Sequence, residues 1–472
     1  PSSAITFRGH EVLLDALSGN TADYGGGMYN AGGNPTVVNC TFSGNTCGYE
    51  GGGMYNSGGS PIVTNCTFSG NIATNSGGGM YNSGGSPTVT NCTFGGNTAD
   101  YSGGGMANYS SSPAVTNCTF SENTATYGGG GGMANYSGSP TVTDCTFSGN
   151  SGYWGGGGLY NSGGNPTVTS CTFSENTATY GGGMANNYGS PTVTDCTFSG
   201  NTAYDNGGGL YNSGGNPTVT NCTFSGNTGT FDGGGMYNSS SSPTVADCTF
   251  SGNTAGVGGG MVNVRGSPTV TNCTFSGNTA DYGGGMANWA STLTVTNCIL
   301  WGDAPDEIAN IGELIISFSD VQGGLPVGAV DGGGNIDLDP MFVRSPDPGA
   351  DGTWDGVDDD YGDLRLQAGS RCINTGDPLF VAQPGETDLE GHARVLCGQV
   401  DMGAYEFGIG DYDCDQTVDL TDFANWSACM TGPSATADTA VAHDSGCELF
   451  DFDGDGDVDL GDFAGFELVI TP

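Results

Sequence analysis

The stretch GGSPTVTNCTFGGNTADYSGGGM, residues 84 to 106, returns with small changes about every 26 residues between Tyr24 and Leu300. No other feature constrains the fold as much, because a unit this short cannot bury a core alone and must stack on its neighbours. The copies align on Cys40, Cys66, Cys92, Cys118, Cys145, Cys171, Cys196, Cys222, Cys248, Cys273 and Cys298, with spacings of 25 to 27 residues. Glycine runs, a proline in almost every copy and the Thr/Val content exclude a helical repeat. A leucine-rich repeat would need a Leu framework, which is missing. What remains is an all-β solenoid of about 25–27 residues per coil, with three short strands per coil hydrogen-bonded to the coils on either side.

Side-chain alternation gives each strand an inside and an outside. In Thr88 to Phe94, Val89 points in, Asn91 marks a bend, and Cys92 and Phe94 point in beyond it. Met106 then fills the core from the next strand. Stacking makes columns of Val37, Val63 and Val89, of Phe42, Phe68 and Phe94, and of Met28, Met54 and Met80, with Leu159 and Leu210 replacing Met in two coils. The cysteines read as small buried hydrophobes, with Ala16 expected in their column in the first partial coil. Parallel ladders aim stacked thiols poorly for bridging, and no pair has the local spacing of a thiolate metal site.

From Met or Leu to the following Cys is 12 residues in every copy, whereas from Cys to the next Met or Leu is 13 to 15. All length variation therefore falls in one loop, which carries Tyr24, Tyr101, Tyr127, Trp154, Tyr180 or Tyr282. If a face of the rod binds something, it is this one. Tyr101, Tyr127, Trp154 and Tyr180 are the candidate glycan contacts; inert exposed aromatics are the alternative. Asn fills three columns, one of them unbroken from Asn20 to Asn278. Asn tolerates left-handed bends and bonds neighbouring backbone, so stacked Asn would seal the corners. Several also form glycosylation sequons, at Asn39, Asn65, Asn91, Asn117, Asn221 and Asn272. Exchange with Asp144, Asp195, Asp247 or Ser170 favours the hydrogen bond over the glycan.

The pairing of Phe94-x-x-Asn97 with a glycine run and a hydrophobe, Gly103 to Met106, resembles the polymorphic outer membrane protein repeat over about 280 residues. That resemblance implies an extracellular, adhesive, right-handed parallel β-helix. Members of that family end in a membrane β-barrel, which is not expected from the residues of this sequence.

Charge changes near residue 300. Residues 1 to 300 hold 13 acidic side chains and the rest hold 36 of the 49, against six Arg, no Lys and three His. A net charge of −43 excludes nucleic acid as a partner, since phosphates need a basic surface. It favours cations. No apolar run approaches the roughly 18 residues that cross a bilayer, so no membrane insertion is expected. A start at Pro1 without a charged leader reads as a processed, secreted product.

Residues 306–410 read as irregular terminal coils and a cap. Asp363 to Leu366, Ser370 to Asp377, Asp388 to Arg394 and Asp401 to Phe407 resemble the choice-of-anchor Q domain. The resemblance implies a terminal cap, with Cys372 and Cys397 as a plausible disulfide within it. The acidic stretch 351–360 offers hard oxygen ligands to a further Ca²⁺, or is a solvated loop.

In the tail, Asp411, Asp413, Asp415, Thr417, Asp419 and Asp422 occupy positions 1, 3, 5, 7, 9 and 12 of a twelve-residue calcium loop. Asp451, Asp453, Asp455, Asp457, Asp459 and Asp462 repeat it forty residues later. Each loop runs into an apolar segment, Phe423 to Trp426 and Phe463 to Phe466. Two such loops followed by helices resemble a type I dockerin module. That implies a small α-helical unit over 411–472, two Ca²⁺ ions and a cohesin-like partner. Cys429 and Cys447 are expected to bridge the linker, and Cys414 has no evident mate.

No enzyme is expected. Between residues 20 and 300 the only basic side chain is Arg265, there is no His, and the acids are scattered singly. A lyase of this shape needs a base beside acid-held Ca²⁺, and a hydrolase needs paired carboxylates. The reading is a secreted or cell-surface structural protein, an adhesin or fibre subunit. It is built from the rod at 1–305, the cap at 306–410 and the tail, and is expected to assemble head to tail. The alternative is a carbohydrate-binding β-helix that holds polysaccharide along its aromatic edge and is tethered through the tail.

Overall fold

The computed structural model describes residues 16–354, 356–408, 410–411, 413–418, 421–422 and 447–450, and the backbone of two strands, Ile5–Phe7 and Glu11–Val12. About eleven coils stack into a parallel solenoid. Its three large sheets have 25, 13 and 10 strands. One representative coil comprises Met80–Ser83, Thr88–Thr90, Thr93–Gly95 and Thr98–Ala99. The coil thus has four short strands, not the three expected. The Met and Val strands share a sheet but are parted by Gly84, Gly85 and Pro87; both glycines have positive φ, 70° and 76°. Where that turn chemistry is missing the two strands fuse, as Met286–Thr296.

Register is kept from coil to coil: Met80 pairs with Met54 and Met106, Val89 with Val63 and Val115, Phe94 with Phe68 and Phe120. The Val, Phe, Cys and Met columns are buried. The Phe rings from Phe42 to Phe275 stack 4.5–4.9 Å apart with interplanar angles of 1–5°. The glycine run lets the coils close over these rings. A Cβ at Gly79 would stand 2.5 Å from the Gly105 carbonyl oxygen and 2.9 Å from Phe94.

The Asn column is a continuous ladder. Asn97 sends its backbone N–H (3.0 Å) and its Nδ2 (2.9 Å) to Asn123 Oδ1, and Nδ2 also donates to the Phe68 carbonyl at 2.9 Å. The bend column is left-handed throughout: Asn91 has φ 54°, and Asp144, Ser170 and Asp195 have 53°, 52° and 54°. That conformation explains why Asn, Asp and Ser exchange there. Each stacked cysteine is buried and its thiol donates to backbone carbonyls, as Cys92 does to Thr90 at 3.3 Å. Ala16 is not in that column. It pairs with Thr41 and faces out, while Leu17 takes the Phe position opposite Phe42.

Past residue 300 the rungs continue through Ile308–Ser317 to Val330–Asp331. Leu325 and Ala329 pack against the core beyond the last full rungs, and the chain then turns back along the flank. Ala404 N donates to Thr274 Oγ1 at 3.0 Å, Gly403 N to the Asn297 carbonyl at 2.8 Å, and Asp377 N to Asn297 Oδ1 at 2.7 Å. Outward Thr249, Ser251, Thr274 and Ser276 are consequently buried, whereas their counterparts in early coils face solvent. The buried sequon Asn272 lies under this layer.

The disulfide joins Cys397 to Cys414, with Cα atoms 5.7 Å apart, and not Cys397 to Cys372. Cys372 is buried as a thiol, donating to Asp320 Oδ2 at 3.2 Å. Cys414 therefore has a mate. Cys429 and the side chain of Cys447 lie outside the described residues, as do the segments 423–426 and 463–466 and the whole second calcium loop.

Candidate functional site

Four places gather chemistry. The first is the aromatic edge. Tyr101, Tyr127 and Trp154 are exposed and Tyr180 is half-buried. They form two pairs and no single platform: Tyr101 and Tyr127 lie 6.4 Å apart at 56°, Trp154 and Tyr180 5.8 Å apart at 83°. Beside them runs an aromatic row that the sequence reading missed, on the outer face of the Met strands. Tyr29, Tyr55 and Tyr81 stack there 5.1 Å apart. Where that position is Ala107 or Ala134, Tyr109 or Tyr136 two residues on supplies the ring, and these two stack at 4.5 Å. The coil with Ala185 and Asn187 supplies neither, and there a cavity of about 220 Å³ opens, lined by Trp154, Tyr160, Tyr180 and Tyr211.

The second is the first tail loop. Carboxylate oxygens of Asp411, Asp413 and Asp415 lie within 4.8 Å of one another. Buried Asp411 accepts the backbone N–H groups of Asp415 at 3.0 Å and Gln416 at 2.8 Å, and buried Asp422 accepts that of Asp413 at 3.2 Å. Burial, with Asp422 and Asp415 nearby, pushes the Asp411 carboxyl above its usual range. These are hard oxygen donors turned to one point, as a Ca²⁺ loop requires. Thr417 is exposed; Asp419 lies outside the described residues. Asp351, Asp358 and Asp359 form a second convergent set.

The third joins the returning chain to the rod. Arg394 is fully buried, 2.9 Å from Asp247 and 2.5 Å from Glu406, and donates to the Gly403 carbonyl. Burial raises Asp247 and Asp401 to about 7 each, and Arg394 pulls both back in part. With no exposure, this cluster is a clamp that no substrate can reach.

The fourth ends the Asn ladder. Asp303 replaces Asn and lies beside Glu307, both buried. Asp303 Oδ2 and Glu307 Oε2 receive no donor from any other group, so a proton held on Glu307 is shared with Asp303. Burial and the neighbouring Asp303 raise Glu307 to about 11, and burial raises Asp303 to about 6. The sequence signal for this pair was the break in an otherwise unbroken Asn column.

Stacked parallel rungs with inward ladders define the class: a right-handed parallel β-solenoid. The chain belongs to the right handed beta helix region family, whose model matches residues 6–120, 100–216 and 192–312. A search of curated proteins finds no match. Among solved structures, the crystal structure of pectate lyase Pel9A aligns with a TM-score of 0.37 and 13% identity, over 79% of this chain and 88% of that one. That degree of likeness carries no argument about activity.

Proposed function

We propose that the protein is a non-catalytic rod of the secreted or cell-surface kind, an adhesin or fibre subunit. One observation carries the reading: the part repeated most strictly from coil to coil faces inward, as Phe, Asn and Cys ladders. Outward positions are mostly Thr and Ser, and the buried ion cluster at Arg394 is closed to solvent. Two Ca²⁺ ions belong to this reading, one held by Asp411, Asp413, Asp415 and Asp422, the other by 451–462. Its partners are further copies meeting head to tail, or a cohesin-like protein at the tail. Electron microscopy of the protein with Ca²⁺ tests the reading, together with incubation on acidic and neutral glycans. Rods without turnover are expected; turnover abolished by coil substitutions would overturn it.

A second reading, polysaccharide binding, is favoured by the exposed Tyr101 and Tyr127 pair. Glycan-array binding lost on replacing both would support it.

A further inference from the structure

The outer aromatic row is broken in two coils, and in one of them the missing ring leaves a cavity. Of the coils from Met28 to Trp289, most place Tyr or Trp at one of two outward positions, and Met261–Val264 places Val at both. Met184–Asn187 alone has Ala and Asn. The neighbouring strands keep their register, so the space is not closed by a slip: Ala185 pairs with Tyr160 on one side and Tyr211 on the other. Those two residues are two rungs apart, roughly 9.6 Å at the usual strand spacing. A group seated there would have an aromatic residue on the rung to either side, and a cation feels a ring face within roughly 6 Å.

The rings around the gap are not parallel. Tyr180 meets Tyr211 at 5.2 Å and 43°, and Trp154 meets Tyr180 at 83°. They make a box with Ala185 as its floor, whereas a flat sugar-stacking platform would need coplanar faces. Asn187 Nδ2 donates to the Tyr160 hydroxyl at 3.0 Å, which fixes that wall. Charge decides between an apolar guest and a cation. Asp205 stands at the rim, next to Asn206, which pairs with Tyr180, and its charge acts on the Tyr180 phenol. A carboxylate at the rim of an aromatic box favours a cation that needs no hydrogen bonds.

We propose that this box binds a quaternary ammonium group, the head of a choline- or betaine-type ligand. The group could arrive free or as a lipid headgroup; the chemistry recognised is the same. The proposal is independent of the rod reading, which stands or falls on turnover and shape.

The test is a saturation-transfer NMR titration of the full chain with choline chloride and with 3,3-dimethyl-1-butanol, its uncharged isostere. Choline should saturate, and the isostere should bind about tenfold more weakly. Ala185→Tyr should abolish choline binding by restoring the missing ring; the fold tolerates it, because six other coils carry Tyr there. Asp205→Asn, at the rim, should weaken binding without touching the core. Phosphatidylcholine vesicles that co-sediment with the protein would identify a lipid source, and binding of free choline alone a soluble one. Equal binding of choline and its isostere, undiminished binding in Ala185→Tyr, or saturation by methyl glucoside in place of choline would overturn the proposal.

Discussion

Asp303 Oδ1 accepts both donors that Asn278 sends along the ladder, the backbone N–H at 2.7 Å and Nδ2 at 2.8 Å. An amide there would need an onward acceptor for its own N–H₂. A carboxylate needs none, so the column stops. The stop costs stability at higher pH, because Glu307 is forced to keep its proton.

The pH dependence has a definite sign. Both carboxyls bind protons more tightly when folded, so their contribution is complete below roughly pH 4, the unfolded range. It is lost as pH rises towards the folded values of about 6 for Asp303 and about 11 for Glu307. Glu307→Gln should therefore stabilise the last coils at pH 8 by on the order of 1–3 kcal/mol and flatten the decline above pH 5. Thermal melts at several pH values measure it; an unchanged slope would mean that Glu307 ionises freely.

Core and edge should differ sharply. Phe173→Ala removes a ring stacked on both sides and should cost about 3–5 kcal/mol. Tyr127→Ala, at the exposed edge, should change stability by less than about 0.5 kcal/mol. Denaturant melts compare them, and equal losses would contradict the assignment of faces.

Arg394→Met should release the returning chain from the flank. Buried Asp247 and Glu406 would lose their cation, a loss of about 3–5 kcal/mol. Hydrogen exchange at Thr249–Ser251 and Thr274–Ser276 should speed up while Thr93–Gly95 stays protected. Uniform exchange along the rod would show that the flank layer supports every coil.

Chelation should loosen residues 411–422, whose carboxylates repel one another without an ion. The far-ultraviolet β signal should persist, since the coils rest on apolar columns and backbone ladders. Circular dichroism and limited proteolysis with and without EDTA separate the two. Melting of rod and tail together would make them one cooperative unit.

The core columns were legible because each coil states them again: Val89, Cys92 and Phe94 alternate around one bend, and every copy repeats the bend. Leu17 shows where this reading slipped. Aligning the first coil on its small residue shifted it by one, and only strand pairing with Phe42 fixes the register. The Cys397–Cys414 bridge was hidden because it depends on how the chain folds back along the flank, a path that no period dictates. The box at Ala185 is written in the sequence only as a ring that is missing. A motif search looks for what is present.

The inter-coil hydrogen bonds, such as Thr93 N to the Cys66 carbonyl at 2.9 Å, run along the rod axis. Pulling on the chain ends therefore peels one rung bond by bond from the next, as a hairpin is opened from its end. Under a pulling force the rod should yield in successive events. Each would free one coil of about 26 residues, lengthening the chain by roughly 90 Å at about 3.4 Å per residue. The clamp at Arg394 spans coils that such a force would part. Those coils should yield last, which makes the rod a graded shock absorber with a reinforced end.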